Sequence, residues 1–125
     1  MAGATRVQDF EIIFFKDDDG TEPAKSFIRE LEPRMRAKMY RVIDMLETGG
    51  NELRMPYSKH LTDGIFELRA EVGTDISRVL YFFVIRRKAV LTNGFIKKTQ
   101  ETPPGEIDRA KKYRYKYLTG KENEK

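Results

Sequence analysis

Arg69, Arg78, Lys97 and Lys98, with Lys59 just upstream, are the side chains of this 125-residue sequence best suited to chemistry. Attack on a phosphodiester builds charge on the phosphoryl oxygens, and fixed Arg or Lys donors stabilise it there. The same arginines could instead pair with Glu67 or Glu71 across a sheet, which is a structural role. His60, the one histidine, has an imidazole whose unperturbed pKa of about 6.5 would let it exchange a proton at cellular pH. A lone loop histidine can equally stand exposed and idle. Tyr57 and Tyr81 are the alternative proton acceptors, although a phenol with an ordinary pKa of about 10 needs a neighbouring cation to act as a base. Tyr81 could also be a core residue. The sequence has no Gly-rich phosphate loop, HExxH pair, Cys/His cluster or Ser nucleophile elbow, so neither a cofactor nor a metal is expected. Asp17, Asp18 and Asp19 lack the remaining ligands of a calcium loop and read as a turn.

The elements that must position these groups are legible from periodicity. Phe10 to Phe15 is short, aromatic and β-branched, a first strand ended by the turn-forming Lys16 to Gly20. Thr21 can cap a first helix, with Pro23 in its first turn and Ala24, Phe27, Ile28 and Leu31 at helical spacing. A second helix opens near Pro33. Its Met35, Met39, Val42, Ile43 and Leu46 form one stripe before Gly49-Gly50, while Arg34, Arg36, Lys38 and Arg41 lie off it, either solvating an outer face or touching phosphates. The two helices make a hairpin. Residues 51–64 read as a loop.

Beyond that loop the period changes from 3.6 to 2. Phe66, Leu68 and Ala70 alternate with Glu67, Arg69 and Glu71, predicting a strand with one buried and one wet face, on which Glu67 and Arg69 point the same way. After a turn at Gly73-Thr74-Asp75, residues 78–85 are apolar on both faces, as in a central strand. Arg86-Arg87-Lys88 connects to a last strand, residues 89–96, so three consecutive strands form an antiparallel meander. A third helix begins at Pro103-Pro104 with Ile107, Ala110, Tyr113, Tyr117 and Leu118 on one face. Its Lys111, Lys112, Arg114 and Lys116 interleave with tyrosines, which suits either a grip on single-stranded nucleic acid or a helix docked on the core. One domain over residues 1–120 is expected, with a disordered polar tail at 121–125.

Charge is uneven. Residues 1–53 carry 8 basic and 11 acidic residues, whereas residues 54–125 carry 16 and 9. A polyanion would meet the second part first. No cysteine is present, no apolar run approaches bilayer length, and the first ten residues lack a signal-peptide core. A soluble, cytoplasmic protein is expected.

Four ordered blocks carry a resemblance. Lys59-His60-Leu61-Thr62-Asp63-Gly64-Ile65-Phe66-Glu67-Leu68-Arg69 comes first, followed by Ser77-Arg78-Val79-Leu80-Tyr81-Phe82-Phe83. Next come Gly94-Phe95-Ile96-Lys97-Lys98-Thr99-Gln100-Glu101-Thr102-Pro103, and then Glu106-Ile107 with Ala110. Together they resemble the motifs of phage-derived RelE/HigB-type toxins over residues 8–118. The resemblance implies an α+β, RelE-like fold, in which an N-terminal strand and helical hairpin pack on an antiparallel sheet with a C-terminal helix. It implies the toxin of a type II toxin-antitoxin system, an endoribonuclease that cleaves mRNA, commonly on the ribosome, by 2′-hydroxyl attack without a metal. It also implies a cognate antitoxin, often with a helix-turn-helix domain, whose acidic segment could mask the basic sheet face. Arg69, Arg78, Lys97 and Lys98 match the family's basic motif residues and take the scissile phosphate. Glu67 would orient Arg69, and His60 is the candidate base. Lys59, Tyr81, Lys111, Lys112 and Arg114 complete the candidate RNA contacts. Two readings stay beside this one: a non-enzymatic toxin of the same fold that inhibits DNA gyrase, and an orphan phage-derived nucleic-acid-binding protein.

Overall fold

The computed structural model describes residues 9–96 and 101–123, with side chains through Gly120. Its elements run β1 (Glu11–Phe14), α1 (Pro23–Arg29), α2 (Pro33–Gly49), β2 (Ser58–Thr62), β3 (Ile65–Val72), β4 (Asp75–Val84), β5 (Lys88–Ile96) and α3 (Pro104–Asn123). The strands form one sheet in the order β1-β5-β4-β3-β2, antiparallel except for β1, which lies parallel to β5. The α+β architecture, helices packed on a sheet with a C-terminal helix, is the one that the RelE-like resemblance implied; the sheet has one strand more than the sequence suggested. Among the described residues no helix is long and apolar enough to cross a membrane.

The sheet separates two cores. On one face α1 and α2 lay their apolar stripes, Ile28, Met35, Met39, Val42 and Leu46, against Leu68, Ala70, Val79, Tyr81 and Leu91. Period 2 sends the intervening residues to the other face, where Phe15, Ile65, Leu80, Phe82, Val90 and Ala110 of α3 pack together. Two aromatic contacts fasten α3 there: Tyr113 stacks on Phe15 at 4.7 Å and Tyr117 meets Phe82 edge-on at 6.0 Å.

The start of α1 differs from expectation. Thr21 does not cap α1, because its hydroxyl donates to Asp19 Oδ1 at 2.8 Å and the cap position falls to Glu22. The side chain of Glu32 caps α2, accepting from the N–H groups of Arg34 and Met35 at 3.1 Å. α3 runs from Pro104 to Asn123. Arg36 leaves the outer face of α2 and donates to the carbonyls of Arg29 and Leu31 at 2.8 and 3.0 Å, closing the end of α1.

The sheet departs from the sequence reading at two points. Residues 58–62, expected in a loop, form edge strand β2, because Ser58, Lys59 and His60 register against Leu68, Glu67 and Phe66. A register shift in the β4–β5 ladder sets Asn93 and Thr92 together between the Val79–Gly94 and Tyr81–Leu91 pairs. The bulge turns Asn93 toward α3, where its amide donates to the Glu106 carbonyl and carboxylate at 3.2 and 3.0 Å. Gly94 then lies so close to α1 that a Cβ there would sit 2.3 Å from the Phe27 ring.

Candidate functional site

Glu67, Arg69 and Arg78 meet on the α3 face of the sheet. β3 and β4 place Arg69 directly opposite Arg78, and period 2 puts Glu67 on the same face. Glu67 Oε2 lies 3.2 Å from Arg69 Nη1 and 3.9 Å from Arg78 Nε. Its other oxygen accepts from the Thr102 hydroxyl at 2.6 Å, and Arg78 Nη1 donates to the Glu101 carbonyl at 3.4 Å. Two cations thus share one buried carboxylate.

The expected wet face is dry at this end. Glu67 and Arg78 are 0% exposed and Arg69 7%, and the segment just before α3 lies against them through the Thr102 hydroxyl and the Glu101 carbonyl. Only Glu71, one step further along β3, reaches solvent. Burial pulls the Arg78 guanidinium below its usual pKa; Glu67 opposes the fall and Arg69 adds to it. A guanidinium stays protonated under such shifts, so the cluster keeps its charge. Buried charge of this kind is tolerable only while paired.

Lys59 registers against Glu67, on the same face, and its side chain is exposed on edge strand β2. His60 alternates to the opposite face, and its ring meets Phe66 edge-on at 4.9 Å. Its Nε2 accepts from the Gly64 N–H at 3.3 Å, so the candidate base faces away from the arginines and already serves the β2–β3 turn. Tyr81 does not join them either. It is 1% exposed in the core beneath α1 and α2, and its hydroxyl shares a 2.5 Å hydrogen bond with Ser58. Desolvation pushes the Tyr81 phenol up to about 12, against the pull of the Ser58 bond and Arg54, which removes it as a base near neutral pH. Tyr57 is partly exposed, and its carbonyl accepts from the Arg69 N–H at 2.9 Å.

Three cations of α3 contact turns of the chain. Lys111 Nζ holds Asp63 Oδ2 at 2.9 Å, and Arg114 Nη1 donates to the Asp63 carbonyl at 2.6 Å. Lys116 pairs with Asp17 at 2.8 Å and with Asp18 at 3.4 Å. The Lys111 hydrogen bond draws the Asp63 pKa down, and the Lys116 hydrogen bond does the same for Asp17. Lys112 is exposed, as is Tyr115, whereas Tyr113 and Tyr117 are spent on packing. The site partner that the sequence reading missed is Thr102; a lone hydroxyl ahead of a proline pair carried no signal of it. Lys97 and Lys98 lie outside the described residues.

A protein-family model described as Phage derived protein Gp49-like (DUF891) matches residues 26–116. That span runs from within α1 into α3 and includes every residue of the arginine cluster. The chain belongs to this family. The Gp49-like family is itself part of the RelE/HigB-like toxin family. A search among curated proteins found no match. In this Gp49-like chain the matched span therefore contains both the sheet that opposes Arg69 to Arg78 and the segment that covers them.

Proposed function

We propose that this Gp49-like chain is the toxin of a type II toxin-antitoxin pair, an endoribonuclease that cleaves mRNA, on the ribosome, by attack of the RNA 2′-hydroxyl on the adjacent phosphate. The supporting observation is the opposed Arg69–Arg78 pair on one sheet face around Glu67. Paired guanidiniums suit a phosphate that gains charge in the transition state, and the attacking oxygen comes from the substrate, so no protein nucleophile is needed. In this reading Glu67 holds Arg69 in position. Exposed Lys59 meets the backbone beside it, and Lys97 and Lys98 add donors. RNA reaches Arg78 when Glu101 and Thr102 give way, a phosphate oxygen then replacing the Glu101 carbonyl. The partner is a cognate antitoxin with a helix-turn-helix domain, encoded beside the toxin.

The complete burial of Arg78 favours a second reading, in which the triad is structural and the toxin acts by binding, with DNA gyrase as the target. Induction of the chain in growing cells, with mRNA mapped by primer extension and plasmid supercoiling assayed in parallel, separates the two. Discrete new RNA ends that vanish with Arg69→Ala support cleavage. Altered supercoiling with intact mRNA supports the second reading.

A further inference from the structure

A hollow of about 450 Å³ lies where the first half of α2 meets the β3–β4 turn, on the opposite side of the sheet from the triad. Arg34, Lys38 and Arg41 fall at i, i+4 and i+7, which sets three cations on one face of the helix. Ala37 stands among them on that face, and Val72 and Gly73 line the other wall. The small residues at 37 and 73 leave the space between the cations open. Glu71 also borders the hollow, but it shares the α3 face with Glu67 and Arg69, so strand period directs its carboxylate away from α2. Among the described residues none of the three cationic side chains has a hydrogen-bond or ion-pair partner, although Asp44 lies three positions beyond Arg41. Arg36 on the same helix, by contrast, donates to two carbonyls, and Lys111 and Lys116 of α3 each hold a carboxylate. The patch also reverses the local sign, since residues 1–53 carry 8 basic and 11 acidic residues.

We infer that this hollow binds a compact oligophosphate, as carried by a nucleoside triphosphate. Cations without carboxylate partners keep their donors available; the guanidinium forks match pairs of phosphate oxygens, and the lysine adds a point charge. Helical rise sets Arg34 and Arg41 about 10 Å apart along the axis, a span that their long side chains can close around two or three linked phosphates. The volume also falls within the roughly 300–1,000 Å³ of small-molecule sites. A continuous nucleic-acid strand suits the surface less well, because it must leave the hollow at both ends. There it meets exposed Glu30 and Glu32, which precede the patch in the chain, or Asp44 and Glu47, which follow it. Like charge at both ends repels a continuing backbone and tolerates an anion that ends inside the hollow. Because α2 and the triad lie on opposite faces of the sheet, the site does not depend on whether the chain cleaves RNA.

The test titrates the full chain by calorimetry with sodium tripolyphosphate, ATP, adenosine and a short single-stranded RNA. Tripolyphosphate and ATP should bind, and adenosine should not. Lys38→Ala and Arg41→Ala should each weaken both phosphates about tenfold, the loss expected for one charge-assisted contact. Arg109→Ala removes an exposed cation of α3 instead and should leave the affinity unchanged. An unchanged Tm without ligand verifies that the variants fold. Tighter binding of ATP than of tripolyphosphate marks a nucleotide as the ligand, and equal binding marks a free oligophosphate; both support the inference. It is overturned if neither phosphate binds, if the α2 variants leave the affinity unchanged, or if Arg109→Ala costs as much as they do. It is also overturned if RNA binds more tightly than tripolyphosphate and loses that affinity in the α2 variants, which would make the surface an RNA track.

Discussion

Glu67 carries the electrostatic load of the candidate site, because it is the carboxylate that Arg69 and Arg78 share. Removing it as Glu67→Ala would leave two like charges buried together, and the fold should lose about 3–5 kcal/mol in urea denaturation. Arg69→Ala removes one of its two cationic partners, so the comparison of the two variants weighs repulsion against a weakened pair. On the opposite face, Tyr81 offers a pH test. Its folded-state pKa of about 12 lies above the ordinary value near 10, so the neutral form is favoured by folding. The stabilisation is present in full below pH 10 and is lost as pH climbs from 10 through 12. Tyr81→Phe should flatten that part of the stability curve, cost about 1 kcal/mol at neutral pH through the lost Ser58 bond, and leave RNA cleavage unchanged. Loss of cleavage in a folded Tyr81→Phe protein would return the phenol to the chemistry. The pairing of Glu67 with Arg69 was legible in the sequence, since strand period sends i and i+2 to one face. Their burial was not, because it depends on what covers that face, and the cover comes from residues more than thirty positions away.

At the scale of elements, the three helices followed from period 3.6 and β3 from period 2, whereas β1, β4 and β5 were marked by short apolar or β-branched runs. β2 escaped because Ser58-Lys59-His60-Leu61-Thr62 is an edge strand with mostly exposed side chains, held by its backbone ladder to β3 and not by a hydrophobic face. The β5 bulge also left no trace in the pattern, yet it directs Asn93 to the start of α3 and brings Gly94 against Phe27. Gly94→Ala would force the α1 side of the core apart and should destabilise the protein by about 1–3 kcal/mol, measured by thermal or urea unfolding. An unchanged midpoint would mean that α1 does not pack against β5 as described. The docking of α3 combines aromatic packing with the ion pairs to Asp17 and Asp63. The Lys111–Asp63 pair is exposed and the Lys116–Asp17 pair half-buried, so Lys111→Ala should have a small effect that salt erases and Lys116→Ala a somewhat larger one. With the pKa of Asp17 lowered by Lys116, that contribution is present in full above the ordinary aspartate pKa and is lost as pH falls from there through the lowered folded-state value.

For the whole molecule, the uneven charge of the chain resolves into cations with different duties. Some fasten α3 to two turns, some rim the hollow between α2 and the β3–β4 turn, and the buried pair stands opposed on the central sheet. The family membership was visible in the ordered motifs, whereas the closed state of the arginine cluster emerged only in three dimensions. The proposed nuclease must open at Glu101 and Thr102, so Thr102→Ala, which frees Glu67 Oε1 of its hydroxyl partner, should leave cleavage intact or raise it. Its disappearance in a folded variant would assign the hydroxyl a role with substrate. The most direct test of the proposed activity is primer extension on cellular mRNA after induction of wild type and Arg69→Ala at matched soluble levels. Discrete new 5′ ends within coding regions for the wild type, absent for Arg69→Ala, are expected. Unbroken mRNA with the wild type, or identical ends from both proteins, would contradict it.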